Sequence, residues 1–262
     1  MKFFHLSDLH IGQSNNDQKV GEITRWIIDH ASQHEARLVL ITGDVVDSGF
    51  EWQYQKAQQH VEHLRQEGFR VLVVPGNHDY GPLGIAESRR SAEHFKQYLA
   101  GGRDFPSLEV IDREAFLLLD SMQQELQDVE IWGAEGELGD SQLGEVKGML
   151  DDLEGYAAVD HVIVALHHHP FEYKNFHELR DAQKLMEVVS RSETSTRRVH
   201  CLLFGHKHVA MRFDHPAVDM ESRYGLDLIF AAGSTVERDR SGRMTLPVIN
   251  LKQMSIQRWK VQ

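Results

Sequence analysis

The strongest constraint on this chain is an alternation that runs from Lys2 to Val74. Short apolar, β-branched runs (Lys2–Leu6, Leu38–Thr42 and Arg70–Val74) are separated by stretches with helical periodicity. Val20, Ile23, Ile27 and Ala31 recur at the spacing of one helix face, and Trp52 to Leu64 is polar with an apolar stripe. A β-α-β-α-β pattern of this kind predicts a parallel sheet with right-handed crossovers.

Further along, Gly81–Gly84 reads as a turn-rich loop and Ser88–Leu99 as a helix. Leu108–Ile111, Ala115–Leu119 and Val129–Trp132 read as successive strands. Gln142 to Leu153 reads as a helix, His161–Leu166 as a buried strand, Glu178–Ser190 as a helix and Val199–Phe204 as a strand. Glu193 to Arg198 is polar and reads as a loop. From Val209 onward the pattern predicts antiparallel strands at Leu228–Ala231, Met244–Leu251 and Ser255–Lys260. No repeat, low-complexity tract or linker interrupts the 262 residues, so one domain over 1–262 is expected, with two packed sheets flanked by helices.

The formal net charge is −12 with histidine neutral, which repels nucleic-acid backbones and anionic membranes. Arg89–Arg90 and Arg197–Arg198 are too short to form a basic stripe, so a nucleic-acid partner is disfavoured. Cys201 is the only cysteine and excludes an intramolecular disulfide. The N-terminus lacks a signal-peptide pattern, and no run approaches the ~18 apolar residues of a membrane span. A cytoplasmic location without membrane attachment is the expectation. The late strands offer a sheet edge or a homo-oligomer surface.

Seventeen histidines are the compositional oddity, and their placement matters more than their number. Hard or imidazole ligands follow five apolar runs directly: Asp8-Leu9-His10, Gly43-Asp44, Gly76-Asn77-His78-Asp79, His167-His168-His169-Pro170 and Gly205-His206-Lys207-His208. In α/β sheets, ligands bind beyond the carboxyl ends of the strands, so five such ends can share one rim. If the backbone stays extended, Asp8 and His10 share a face. Each motif alone is more often a turn, a helix cap or a surface loop. The mixed oxygen and nitrogen donors suit Mn²⁺, Fe²⁺ or Zn²⁺ and disfavour a pure Mg²⁺ or Ca²⁺ site.

In order, Asp8-x-His10, Gly43-Asp44, Gly76-Asn77-His78-Asp79, His168 and Gly205-His206-x-His208 resemble the calcineurin-like metallophosphoesterase superfamily. The resemblance implies an α/β fold built as a four-layer α/β/β/α sandwich with mixed sheets. It also implies two divalent metal ions (Mn, Fe or Zn) at the strand ends. One would be held by Asp8, His10, Asp44 and His208, the other by Asp44, Asn77, His168 and His206, with Asp44 bridging. The implied reaction is attack on phosphorus by metal-bound hydroxide, with His78 donating a proton and Asp79 orienting His78. Asn77, His78 and His169 would contact substrate. The family pattern puts the ligand two residues before Pro170, at His168, leaving His167 and His169 to point elsewhere in an extended segment.

Leu119-Asp120-Ser121, Trp132-Gly133 and Gly139-x-x-Gln142-Leu143 are similar to the class III cyclic-nucleotide phosphodiesterases, although the spacing follows only roughly. This implies hydrolysis of a small nucleotide-like phosphodiester. Ser7-Asp8-Leu9-His10-Ile11-Gly12 also resembles the superfamily's DNA-repair nucleases. A nuclease, a phosphomonoesterase and an inactive protein-binding scaffold are the alternatives. Pro75 and Asp79 flank Gly-Asn-His where protein Ser/Thr phosphatases carry Arg and Glu, which argues against that branch.

Overall fold

The computed structural model describes residues 1–84, 88–123, 134–153, 158–171, 179–190, 199–208 and 222–261. In chain order the elements are β1 (Lys2–Leu6), α1 (Asn16–His34), β2 (Ala36–Thr42), α2 (Glu51–Gln66), β3 (Arg70–Val74), α3 (Asn77–Tyr80) and α4 (Arg89–Tyr98). They continue with β4 (Ser107–Ile111), β5 (Glu114–Leu118), α5 (Gly139–Leu153), β6 (His161–Ala165), α6 (Ala182–Val189), β7 (Cys201–Phe204), β8 (Leu228–Ala231), β9 (Met244–Asn250) and β10 (Ser255–Val261). The expected strand Val129–Trp132 and loop Glu193–Arg198 lie outside the described residues.

One sheet has the order β10-β9-β1-β2-β3 and the other β4-β5-β6-β7-β8. The β1-β2-β3 core is parallel, as the early alternation requires, and β9 and β10 extend it antiparallel. In the second sheet β5 to β8 are parallel and β4 closes one edge antiparallel. This corrects the expected antiparallel tail at its first strand: Leu228–Ala231 runs parallel to β7. The connection from Phe204 to Leu228 is long enough for the crossover that parallel pairing requires, whereas the short turn at 251–254 joins β9 to β10 as an antiparallel pair.

Strand alternation divides the apolar side chains among the layers. Phe3, Leu40, Leu72, Phe116, Ile163 and Leu203 meet between the sheets, with Phe3 and Phe116 edge-to-face at 5.5 Å. Phe4, Val39 and Val71 face outward and pack with Val20, Ile23, Ile27 and Ala31 of α1 and with α2. Val162, Val164 and Leu202 face the other way, onto α5 and α6. Each fully buried aliphatic or aromatic side chain contributes about 1.5–3 kcal/mol. The result is the α/β/β/α layering, and it leaves the carboxyl ends of β1, β2, β3, β6 and β7 on a common rim.

Candidate metal centre

The loops after β1 and β2 are zipped together. Asp8 N–H donates to the Gly43 carbonyl (3.1 Å), Leu9 and His10 N–H to the Asp44 carbonyl (2.8 and 2.9 Å), and Ile11 N–H to the Val45 carbonyl (3.0 Å). Asp8 and His10 are not extended, as the alternation argument assumed. Asp8 (φ 53°), His10 (43°), Asp44 (51°), His206 (73°) and His208 (55°) all occupy the left-handed region. Asp and His tolerate it better than most residues, but each such kink costs roughly 1–2 kcal/mol. The strain turns five side chains from strand ends inward, a pattern typical of functional sites. Two glycines make room. A Cβ at Gly76 would lie 2.3 Å from Asp44 Oδ1, and one at Gly205 would lie 1.8 Å from Ser7 Oγ.

Of the seven side chains proposed from the motifs, His10 and His208 stand beside Asp44 and Asp8, Asn77 and His206 meet at His167, and His168 lies within 4.8 Å of His206 and His167. His10 Nε2 lies 3.1 Å from His208 Nε2 and 3.8 Å from Asp44 Oδ2, while His208 Nε2 lies 3.6 Å from Asp8 Oδ1. On the other side of Asp44 stands His167. Its Nε2 is 3.2 Å from Asp44 Oδ2, 3.2 Å from Asn77 Oδ1 and 3.1 Å from His206 Nδ1. Its Nδ1–H donates to the Thr42 carbonyl at 2.8 Å, which fixes the ring with Nε2 toward the carboxylate.

His167 therefore does not point away from the site. It continues the face of Ile163 and Ala165, which look across to the first sheet. His168 falls on the other face, where Ser121 Oγ holds its Nδ1 at 2.7 Å. His168 Nε2 is buried without a hydrogen-bond partner among the described residues, and the ring stands 4.5 Å from His206. His169 is fully buried and packs edge-on against Phe204 at 4.6 Å. The chain bends at Pro170, and strand alternation no longer governs where this ring points.

Asp79 also departs from expectation. Its carboxylate accepts Val46 N–H and Gly76 N–H, each at 2.9 Å, and does not touch His78. The short α3 turn places Asp79 over its own N-terminus, where a carboxylate caps free amides. His78 is oriented instead by the Asp47 carbonyl, 2.8 Å from its Nδ1, and His78 N–H donates to Asp44 Oδ1 at 2.9 Å.

Several supporting residues escaped the sequence reading. Asp47 Oδ1 lies 3.3 Å from His10 Nδ1, and Glu237 Oε1 lies 3.2 Å from His208 Nδ1. Ser234 Oγ donates to the Asp8 carbonyl at 2.8 Å, and Thr235 Oγ1 brackets Ser7 through its N–H and carbonyl. Ser234, Thr235 and Glu237 follow β8, so the strand-end rule that found the other motifs would have found them had it been applied there. Gln142 proves to be a clamp. It accepts Asp120 N–H at 2.9 Å and donates to the Asp120 carbonyl at 2.8 Å. Trp132 and Gly133 lie outside the described residues.

The electrostatics fit cation binding. Burial opposes charge on Asp44, yet His167, His78 and His10 hold it well below the ordinary carboxylate range. Burial also opposes charge on His167, but Asp44 and Asp8 push its pKa up to about 9. Burial and then the neighbouring His167 keep His168 well below the usual imidazole range. Asp8 is pushed up, by burial first, and its Oδ1 accepts no hydrogen bond among the described residues. Two buried carboxylates, facing imidazole nitrogens and an amide oxygen form a donor set that suits divalent transition metals. Overlapping groups within bonding reach of one ion are Asp8, His10 and His208; His10, Asp44 and His78; Asp8, Asp44 and His167; and His167, His168 and His206.

The calcineurin-like phosphoesterase family model matches residues 1–210, the span that carries all five motifs. The chain belongs to the calcineurin-like phosphoesterase family. Among curated relatives, this phosphoesterase is 29% identical over 85 residues to a component of the nuclease SbcCD of Escherichia coli, covering 30% of this chain and 21% of that protein. It is 33% identical over 84 residues to a probable cyclic nucleotide phosphodiesterase of Coxiella burnetii, covering 30% of this chain and 32% of the relative. Both alignments span about a third or less of either protein. Two solved structures share the fold of this phosphoesterase. Yellow lupin purple acid phosphatase PPD1 has a TM-score of 0.52 at 11% identity, covering 79% of this chain and 38% of that one. The Thermus thermophilus sulfate thiohydrolase SoxB has a TM-score of 0.52 at 13% identity, covering 99% and 56%. No helix among the described residues of the phosphoesterase is long and apolar enough to cross a membrane.

Proposed function

We propose that this phosphoesterase is a two-metal phosphodiesterase acting on a small nucleotide-like ester. The observation that carries the proposal is Asp44, a buried carboxylate standing between His10, from the first sheet, and His167, from the second. One cation would be held by Asp8, His10, Asp44 and His208, and the other by Asp44, Asn77, His167 and His206. Geometry favours His167 over His168 for the second set, because only the former reaches toward Asp44 and Asn77. When bound, such a pair neutralises phosphate charge and lowers the pKa of a coordinated water.

The chain's own residues do the rest. Asp44 bridges the sets and fixes the His78 backbone through Oδ1. The Asp47 carbonyl keeps the His78 proton on Nδ1 in the neutral ring, so Nε2 is the atom turned to substrate. In its protonated form His78 donates from Nε2 to the leaving oxygen. The Asn77 amide donates to the Gly84 carbonyl at 3.2 Å, which leaves its Oδ1 for the cation. Asp79, by tying β2's loop to the α3 turn, positions Asn77 and His78 without touching substrate.

The names of the two curated relatives, a nuclease and a cyclic nucleotide phosphodiesterase, both denote phosphodiester cleavage, which supports a diester over a monoester. The charge of −12 supports a small substrate over DNA. To test this, metal content is measured on a sample reconstituted with Mn²⁺, Fe²⁺ or Zn²⁺. The same sample is assayed on bis(p-nitrophenyl) phosphate, p-nitrophenyl phosphate, cyclic nucleotides and linear DNA. Two metals per chain with diester and cyclic-nucleotide turnover is the expected result. Cleavage of DNA alone would favour the nuclease. A folded, metal-loaded protein inert on every ester would overturn the proposal.

A further inference from the structure

A cavity of about 350 Å³ opens between α4 and Tyr80 of the α3 turn, and none of the candidate metal ligands lines it. Its walls are rings: Tyr80, Phe95 and Phe105, with Phe95 6.2 Å from Tyr80 and 6.3 Å from Phe105. Its polar side is the strand end after β5. Asp120 lines it with a buried carboxylate that accepts Tyr80 O–H at 2.7 Å and Met122 N–H at 2.8 Å. Gln123 lines it too, and its buried Oε1 accepts no hydrogen bond among the described residues. A buried acceptor without a donor is costly, and a ligand N–H would recover that cost. Three cations stand among the lining residues. Lys96 is paired to Asp104 and Arg103 to Glu109, but Arg89 has no carboxylate partner among the described residues.

We propose that this cavity is a second ligand site, separate from the metal centre, for a purine nucleoside monophosphate. Aromatic walls suit a flat heteroaromatic ring. Gln123 Oε1, together with the remaining lone pairs of Asp120, suits the ring's N–H donors. Arg89 suits one phosphate group. The volume falls at the small end of ligand cavities, which matches a mononucleotide better than a dinucleotide or a larger cofactor. Occupancy would be felt at the metal centre, because the Tyr80 hydroxyl shares Asp120 with the ligand and Tyr80 lies in the same α3 turn as His78. A ligand that recruits Asp120 loosens that turn, so the site acts on rate from outside the chemistry.

The test is calorimetric titration of the full chain with AMP and GMP, as purified and again after EDTA treatment. Adenosine and ribose 5-phosphate serve as half-ligands. One saturable AMP or GMP site that survives EDTA and binds either half more weakly is expected. Arg89→Ala and Gln123→Leu should each weaken it by about tenfold or more, with Arg89→Ala reducing ribose 5-phosphate binding selectively. Both variants should leave unliganded diesterase activity near wild type. The site is refuted by absence of binding in EDTA-treated protein, by binding indifferent to both substitutions, or by loss of binding in Asp44→Ala. A protein inert on every ester that still bound AMP this way would sink the proposed function and leave this site standing.

Discussion

The β1–β2 end of the metal centre and the β7 end hold similar ligands in opposite ways. Asp8 and Asp44 are 0% and 1% exposed, and their loops are laced by backbone hydrogen bonds. His208 has a 41% exposed side chain steadied by Glu237, itself 60% exposed. One wall is thus set during folding, as part of the core. The other is finished by a side-chain contact at the surface, where screening and side-chain entropy weaken each interaction. The buried wall should determine whether the centre exists at all, and the exposed wall should tune how tightly it is occupied.

The largest expected effect is at Asp44. Asp44→Ala should abolish activity and remove both metals, measured by elemental analysis of folded protein; retention of two metals would break the bridging role. His78→Ala should come next, lowering kcat by ~10²–10⁴-fold with metal content unchanged. Metal loss there would make His78 a ligand rather than a proton donor. The pair His167→Ala and His168→Ala sharpens the choice on the second sheet. The first should lose one of the two metals and most activity, while the second should keep both metals and lose less rate. The reverse result would restore His168 as the ligand.

On the exposed wall, Glu237→Gln should weaken metal affinity by about tenfold and leave saturated kcat nearly intact. An effect as large as that of Asp44→Ala would erase the distinction between the walls. The last effect concerns stability against pH and leaves the metal centre untouched. His5 is buried between the sheets beside Thr42 Oγ1 (2.9 Å), and burial lowers its pKa from 6.5 to about 3. The unfolded chain takes up this proton below pH 6.5 and the folded one does not. His5's contribution to stability is therefore full above pH 6.5 and is lost as pH falls toward 3, by about 1.4 kcal/mol per unit. His5→Gln should flatten the fall of Tm with pH in that window; an unchanged slope would show that the ring is not neutral in the folded state.

Much of this was legible in the sequence because strand-end chemistry is local. Val20, Ile23, Ile27 and Ala31 mark their helix face by spacing alone, and Asp8, Asp44, Asn77 and His206 follow apolar runs that can only be buried strands. Leu228–Ala231 misled because its run is the same whether it pairs parallel or antiparallel. The length of the preceding crossover decides that. Asp79 misled because adjacency to His78 suggested a partner, whereas the tight α3 turn carries its carboxylate back to amides at positions 46 and 76.

The sequence by itself determined the order of strands and helices, the donor types and the ends of the strands on which they sit, since periodicity and residue chemistry are properties of single segments. Only the tertiary structure decided which of three adjacent histidines faces Asp44. Strand alternation offers two faces, and nothing local says which one looks at the other sheet; the packing of Ile163 and Ala165 against Phe3 and Leu40 makes that choice, and His167 follows it.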